Sequence, residues 1–317
     1  MSLAKQLKQI KKIFLFIFLS VFFYGCKEKY SPSKSSLQKS TPKLENITQV
    51  YKNRFTCSFD GINHDFIIDF PDNFQNQLNQ NHPLVILLPG AGNTAEAFRT
   101  TIHFEKEANA RGYAAVYVTG ARNKNQPTGT IGWNSGITDD GNDDVSFLVA
   151  LTEYLQEEYS FDKKRTYAAG FSNGGFMIHK LAMEAGHTFA ACVSVAGKMT
   201  QKVWEDKNKK NSVGLFQISG EKDNTVPKKS DNSARFSKDP AIEDVMDYWA
   251  QSNKLKFSDT IEIGAASTLT KWSGKKKNQK QVWHLFVKDG HHAWPTEKNN
   301  KIDTNTLILD FFDTNAN

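Results

Sequence analysis

A serine flanked by glycines stands where one predicted element ends and the next begins. The pentapeptide Gly170-Phe171-Ser172-Asn173-Gly174 joins a short apolar run, residues 165–169, to an amphipathic run, residues 176–185. A G-x-S-x-G sequence between a strand and a helix is typical of a sharp turn that exposes a nucleophilic serine. Ser172 is therefore the candidate nucleophile, and the helix dipole favours negative charge that develops beside it.

An acidic loop follows a later strand and supplies candidates for the orienting acid. A serine hydroxyl is a weak nucleophile at neutral pH, so it needs a base and an acid that orients the base. Asp223 follows the predicted strand 213–219 and is the preferred acid. Glu221 lies on the same loop and is the alternative.

Two adjacent histidines follow the last predicted strand, residues 281–288. An imidazole suits proton transfer at physiological pH. His292 is the preferred base, and His291 is the alternative. The order serine, aspartate, histidine along the chain accompanies this kind of serine turn. These residues together predict acyl transfer through a serine nucleophile.

The elements around these residues alternate between strands and helices. We predict strands near 52–58, 64–70, 84–88, 114–118, 165–169, 190–195, 213–219, 258–263, 268–273 and 281–288. Helices are predicted near 95–111, 142–158, 174–185, 240–252 and 303–313. Asp60-Gly61 predicts a hairpin, and Asp143 and Asp239 are predicted helix caps. This alternation indicates an α/β domain with a mostly parallel central sheet and helices on both faces.

Several motifs in this order resemble one esterase family, which groups feruloyl esterases, acetylxylan esterases and polyhydroxybutyrate depolymerases. The motifs are Gly170–Gly175, Gly220–Pro227, Gly290–Pro295, His82–Asn93, Gly132–Asn134, Asp143–Leu148 and Asp239–Ser252. The resemblance runs from about residue 54 to the C-terminus. It implies an α/β-hydrolase fold, a catalytic domain over residues 51–317 and the roles of nucleophile, acid and base given above.

The resemblance also implies an oxyanion hole made of backbone N–H groups. The expected donors are Ala91, in the loop after strand 84–88, and Asn173, which follows the nucleophile. The chain has Pro89-Gly90 where the family usually carries His-Gly, so the donor in that loop stays open. Trp133, His291 and Trp294 are candidate residues of the substrate pocket.

The expected activity is that of a serine carboxylic ester hydrolase that needs no cofactor and no metal. The preferred substrate is a feruloyl or acetyl ester on plant polysaccharide. A polyhydroxybutyrate depolymerase or short-chain esterase is the alternative within this class. A non-catalytic surface lipoprotein that binds its target is the alternative outside it. We expect a monomer.

The N-terminal residues predict export. Four lysines precede an apolar run at residues 13–23, which is too short to span a bilayer, so residues 1–25 resemble a signal peptide. Gly25-Cys26 resembles a bacterial lipobox, which implies a lipid on Cys26 and anchoring to the cell envelope, with the outer surface as one destination. Release after ordinary signal cleavage is the alternative. Residues 26–50 are polar and are predicted to be a flexible tether.

The charge of the chain gives no indication of nucleic-acid binding. The formal net charge is +6, but residues 1–25 hold four lysines and no acid, which leaves 36 basic and 34 acidic residues. Lys275–Lys277 and Lys280 surround a predicted turn, which we interpret as solvated. Cys57 and Cys192 are predicted to be buried thiols without a disulfide between them.

Overall fold

The computed structural model describes residues 43–72, 74, 81–137, 141–207, 212–228 and 238–316. The strands of this part are β1 (Leu44–Tyr51), β2 (Arg54–Phe59), β3 (Ile62–Asp69), β4 (Leu84–Leu88), β5 (Ala114–Val118), β6 (Thr166–Phe171), β7 (Ala191–Val195), β8 (Gly214–Gly220), β9 (Phe257–Ile263), β10 (Ser267–Ser273) and β11 (Val282–Val287). The helices are α1 (Ala95–Ile102), α2 (Phe104–Ala110), α3 (Asp144–Glu158), α4 (Asn173–Ala185), α5 (Gln201–Glu205), α6 (Ile242–Ser252), α7 (Glu297–Asn300) and α8 (Thr304–Thr314).

All of these strands belong to one sheet with the order β1-β2-β3-β5-β4-β6-β7-β8-β11-β10-β9. The central strands β5, β4, β6, β7, β8 and β11 run parallel to one another. Antiparallel strands extend the sheet at both sides. Because parallel strands end at the same edge, the loops after β4, β6, β8 and β11 meet there, which is where ligands bind in such sheets.

Helices cover both faces of the sheet, as predicted. Along β4, Leu84, Ile86 and Leu88 pack in one apolar cluster and Val85 and Leu87 in another, because side chains alternate across a strand. The first cluster contains buried residues of α3, α4 and α6. The second contains those of α1, α2 and α8. The two clusters therefore form two apolar cores, one on each face of the sheet.

The predicted elements match the structure best where apolar runs are short and buried. The predicted strands 84–88 and 114–118 coincide with β4 and β5. Asp60-Gly61 joins β2 to β3 in a hairpin, as predicted. The Asp143 carboxylate accepts a hydrogen bond from the Ser146 N–H and caps α3, as predicted.

Two helix predictions were wrong in detail. The predicted helix 95–111 is interrupted at His103, whose φ of 47° lies in the left-handed region, and this residue separates α1 from α2. The helix predicted near 240–252 corresponds to α6, and its N-cap residue is Ala241 and not Asp239. The Asp239 carboxylate instead accepts a hydrogen bond of 2.8 Å from the N–H of Gln201, the first residue of α5.

The predicted tether extends too far along the chain. Residues 44–51 form the edge strand β1, which pairs with β2 through its backbone and leaves most of its side chains exposed. A strand held in this way needs no apolar pattern, so its composition resembles that of a tether. The predicted signal peptide and Cys26 lie outside the described residues. None of the helices in the described ranges has the length and apolar character needed to cross a membrane.

Two smaller expectations can also be compared with the structure. Lys280, predicted to be solvated, is buried, and its Nζ donates a hydrogen bond of 2.6 Å to the carbonyl oxygen of Asn315 at the end of α8. Cys57 lies in β2 and Cys192 in β7, and both are buried free thiols, as predicted.

Candidate active site

Ser172 occupies a strained turn between β6 and α4. Its φ of 53° and ψ of −118° lie outside the regions that non-glycine residues normally adopt. The turn is held by two hydrogen bonds, from Ser172 N–H to the Val195 carbonyl and from Phe176 N–H to the Ser172 carbonyl, both 2.9 Å long. Such backbone strain, at a residue on the edge of the sheet, is typical of an exposed nucleophile.

The flanking glycines make this turn sterically feasible. A Cβ at Gly170 would lie 2.5 Å from the carbonyl carbon of Gly174. A Cβ at Gly174 would overlap the carbonyl oxygen of Leu88 in β4. Neither position has room for a side chain, so the glycine spacing seen in the sequence follows from close backbone packing.

The structure brings the preferred base to Ser172 and the preferred acid to that base. His292 follows β11, and its Nε2 lies 2.9 Å from Ser172 Oγ. Its Nδ1 lies 2.8 Å from Asp223 Oδ2. The Phe171 ring packs 5.1 Å from the His292 ring, centre to centre, and limits its rotation. The three side chains form one hydrogen-bonded chain across residues separated by up to 120 positions.

Asp223 is held in place by its own loop. The Oδ1 atom accepts hydrogen bonds from the N–H groups of Thr225, at 2.9 Å, and Val226, at 2.8 Å. The Asp223 side chain is 1% exposed, whereas that of His292 is 20% exposed. These two bonds occupy one carboxylate oxygen and direct the other at the imidazole.

The alternative acid and base point to the surface. The Glu221 carboxylate is bound by Lys288 Nζ at 2.7 Å and by the Asp289 N–H at 3.0 Å. The Lys288 ammonium accordingly lowers the pKa of Glu221. The His291 side chain is exposed, and the neighbouring Asp289 carboxylate is bound by the Lys222 ammonium, which lowers the pKa of Asp289. Neither residue takes part in the chain of hydrogen bonds at Ser172.

The loop after β4 lies against the nucleophile. A Cβ at Gly90 would lie 3.2 Å from the Cβ of Ser172, which shows how closely the loop approaches. The Asn93 N–H donates to the Gly90 carbonyl at 3.2 Å and closes a tight turn. The N–H groups of Ala91 and Asn173, the two expected oxyanion donors, have no hydrogen-bond partner among the residues that the structure describes.

A cavity of about 170 Å³ lies beside these two residues. Its lining is uncharged and includes Ala91, Asn123, Ile131, Trp133, Asn142 and Asn173. Trp133 is one wall of this cavity, but it is only 6% exposed and most of its ring packs in the core.

Trp294 was predicted to be a pocket residue, and the structure corrects this. Its side chain lies in the second core, where its ring meets that of Phe98 edge-on at 5.8 Å, centre to centre. Its Nε1 donates a hydrogen bond of 3.1 Å to Asn305 Oδ1 in α8. The preceding turn directs His292 toward the sheet edge and Trp294 into the layer of α1 and α8.

A buried acid below the cavity was not singled out by sequence reasoning. Asp144, at the start of α3, is 1% exposed, and its Oδ2 accepts a hydrogen bond of 2.6 Å from the Asn134 N–H. Burial raises the pKa of Asp144 to about 6. Lys180 Nζ donates to the Asn134 carbonyl at 2.8 Å. The signal in the sequence is a second acid directly after the capping Asp143, since a cap needs only one.

Part of the chain matches a known family. The model of the prolyl oligopeptidase family, Peptidase_S9, matches residues 111–211. This segment is less than half of the chain and contains Ser172 but neither Asp223 nor His292.

Segments of the chain are similar to proteins named as esterases. NocK of Nocardia uniformis subsp. tsuyamanensis, which is named as an esterase, is 32% identical over 127 residues, which cover 38% of this chain and 35% of NocK. The bifunctional acetylxylan esterase/xylanase XynS20E of Neocallimastix patriciarum is 25% identical over 166 residues, 52% of this chain and 22% of that protein. Feruloyl esterase B of Thermothelomyces thermophilus is 27% identical over 139 residues, 41% of this chain and 46% of that enzyme. The matches span less than half of each relative's own length.

The fold is also found in a solved esterase. The acetyl xylan esterase from Aspergillus awamori superposes with a TM-score of 0.56 and 12% sequence identity, over 86% of this chain and 99% of that one. With the parallel central sheet and its two helical layers, this similarity shows that the chain has an α/β-hydrolase fold.

Proposed function

We propose that the protein is a serine carboxylic ester hydrolase with Ser172 as nucleophile, His292 as base and Asp223 as orienting acid. The observation that carries the proposal is the continuous hydrogen-bonded chain from Ser172 Oγ through His292 to Asp223, with contacts of 2.9 and 2.8 Å. A nucleophile, a base within reach and a third group that orients the base are the elements of this chemistry. A non-catalytic binding protein has no need to maintain all three.

Acylation uses each of these contacts. His292 Nδ1–H donates to Asp223, so Nε2 is free to accept the Ser172 proton as Oγ attacks the ester carbonyl carbon. The carbonyl electron pair moves to its oxygen, and the N–H groups of Ala91 and Asn173 stabilise the oxyanion. When the tetrahedral intermediate collapses, the bond to the leaving oxygen breaks and His292 gives that oxygen its proton.

Deacylation repeats the steps with water. His292 Nε2 accepts a proton from the water as its oxygen attacks the acyl carbon bound to Ser172. Collapse of the second intermediate breaks the bond to Ser172 Oγ, which takes the proton back. The products are a carboxylic acid and the free enzyme.

The proposed substrate is a feruloyl or acetyl ester on a polysaccharide. The support is that two relatives are named as an acetylxylan esterase/xylanase and a feruloyl esterase. The uncharged cavity beside Asn173 has Trp133 as one wall, and an aromatic acyl group would find a partner there.

The resemblance of the N-terminal residues to a signal peptide and lipobox supports export of the protein with a lipid on Cys26. The mass of the N-terminal peptide of the mature protein tests this.

Hydrolysis by the purified full chain tests the proposal. Methyl ferulate, acetylated xylan, p-nitrophenyl butyrate and polyhydroxybutyrate are offered in parallel to the wild type and to Ser172→Ala. We expect cleavage of a feruloyl or acetyl ester, with kcat lowered in the variant by about 10⁶-fold. Equal turnover by a folded Ser172→Ala protein contradicts the mechanism, and cleavage of polyhydroxybutyrate alone contradicts the substrate.

A further inference from the structure

The indole of Trp133 is hydrogen-bonded to the loop that carries one expected oxyanion donor. Its Nε1–H donates to the carbonyl oxygen of Pro89 at 3.0 Å in a buried position. Pro89 is the first residue after β4 and directly precedes Gly90-Ala91. This bond fixes the plane of the peptide that leads into the donor segment.

The other hydrogen bonds of this loop leave two N–H groups available. The Gly90 carbonyl accepts from Asn93 N–H, and Gly92 N–H donates to the Ile131 carbonyl at 2.8 Å. Gly92 has a φ of 79°, as the third position of a type II turn requires. Among the described residues, the N–H groups of Gly90 and Ala91 have no hydrogen-bond partner.

The backbone of Trp133 is tied to the second expected donor. Asn173 Oδ1 accepts from Trp133 N–H at 2.7 Å. Asn173 Nδ2 donates to the Trp133 carbonyl at 3.2 Å and to Ser135 Oγ at 3.1 Å. The side chain of Asn173 is therefore bound to the same residue whose indole holds the Pro89 carbonyl.

We infer that Trp133 is a positioning residue that keeps the two halves of the oxyanion hole in register, one through its indole and one through its backbone. The inference rests on the proposed function, because it assigns a role in the stabilisation of the transition state. It adds an orienting role to the expectation that Trp133 is a residue of the substrate pocket.

The physical reason is that oxyanion donors act only if they are oriented before the charge develops. Donors held in place need no reorganisation in the transition state. A displacement of about 1 Å at a reacting centre lowers the rate by about 10²-fold. Without the indole N–H, the Pro89 carbonyl would lose its partner, and the peptide before Gly90 would be free to turn.

The test compares Trp133→Phe with Trp283→Phe. Both changes keep an aromatic ring in a buried position and remove one indole N–H. Trp283 is 3% exposed and donates to Gln281 Oε1 at 2.9 Å, at the start of β11 and away from Ser172. The two variants should lose similar thermal stability, so a difference in catalysis isolates the orienting bond.

We expect Trp133→Phe to lower kcat by roughly 10- to 100-fold, with KM changed less than about threefold. A boronic acid that forms a tetrahedral adduct with Ser172 should bind more weakly by a similar factor, while the product carboxylic acid binds as before. Trp283→Phe should keep kcat near the wild-type value. Asn173→Ala, which keeps the backbone N–H and removes the side-chain bonds, provides a second variant and should also lower kcat selectively.

Two results would overturn the inference, and a third would refute the proposed function itself. A kcat of Trp133→Phe equal to that of Trp283→Phe overturns the inference. A rise in KM and in the Kd of the product acid, with kcat unchanged, also overturns it, because Trp133 would then act as a pocket wall. If the wild type shows no Ser172-dependent hydrolysis of any ester, the proposed function itself fails.

Discussion

Asp223 and Glu221 show how two carboxylates on one loop acquire different surroundings. The Asp223 side chain is buried and bound by two N–H groups of its own loop, and its second oxygen reaches His292. The Glu221 carboxylate is bound by Lys288 at the surface. Only the first arrangement can hold the imidazole in the tautomer that leaves Nε2 free for the serine proton.

The change Asp223→Asn should lower kcat by about 10⁴-fold, because an amide cannot stabilise the imidazolium that forms. Ester hydrolysis at saturating substrate measures this. Glu221→Gln is the matched control, since it removes a charge from the same loop, and we expect its kcat to stay near the wild-type value. A larger loss in Glu221→Gln than in Asp223→Asn would reverse the assignment.

At the residue scale, residue types and their order along the chain predict which residues form the site. They do not predict the direction in which each side chain points. Ser172, Asp223 and His292 stand out because each follows an apolar strand, in the chain order that accompanies this kind of serine turn. Trp294 lies two residues after His292, yet its ring turns into the core and meets Phe98. That direction depends on the space left by α1 and α8, which belong to distant parts of the sequence.

At the scale of helices and strands, the sequence does not predict the ends of an element where those ends depend on contacts with other elements. The buried strands β4 and β5 are apolar at every position, so their sequences alone predict their bounds. The break at His103 and the true start of α6 lack such a signal. Asp239 has the residue type of a cap, but its carboxylate is bound to the N–H of Gln201 in another helix. β1 is held by backbone pairing, which side-chain patterns do not reveal.

The N-cap of α3 allows the contribution of one helix to stability to be tested separately from catalysis. The Asp143 carboxylate accepts from the Ser146 N–H at 3.1 Å, which satisfies one of the free N–H groups of the first turn. Asp143→Ala should lower the free energy of unfolding by about 1 kcal/mol, measured in urea. Asp143→Ser keeps an acceptor and should recover most of the loss. Equal losses in the two variants would show that the cap contributes nothing.

The whole molecule explains how residues so far apart in sequence form one site. β6, β7, β8 and β11 are neighbours and parallel, so the loops after β6, β8 and β11 open on the same edge. Ser172, Asp223 and His292 each stand in one of these loops. The alternation of elements predicts such a sheet, but strand order and register determine which loops are adjacent, and both are set by packing across the two cores.

Three buried histidines make the stability of the folded protein depend on pH. Burial lowers the pKa of His64, His179 and His284 to about 4 each. In the unfolded chain a histidine has a pKa of about 6.5. As the pH falls from about 6.5 to 4, the unfolded state therefore binds protons that the folded state excludes, and the folded state loses stability. Each histidine contributes up to about 1.4 kcal/mol for each pH unit in this window.

Replacing one of these histidines should make the protein less sensitive to acid. His179 lies in α4, and its Nε2 is 2.9 Å from Gln217 Oε1, so His179→Gln keeps a hydrogen-bonding group but cannot take up a proton. Urea unfolding from pH 7 to 5 should show a smaller loss of stability in His179→Gln than in the wild type, whatever the two values are at pH 7. His187→Gln changes an exposed histidine just after the same helix and should follow the wild-type slope. If all three proteins lose stability equally over this range, burial of His179 does not contribute to the acid sensitivity.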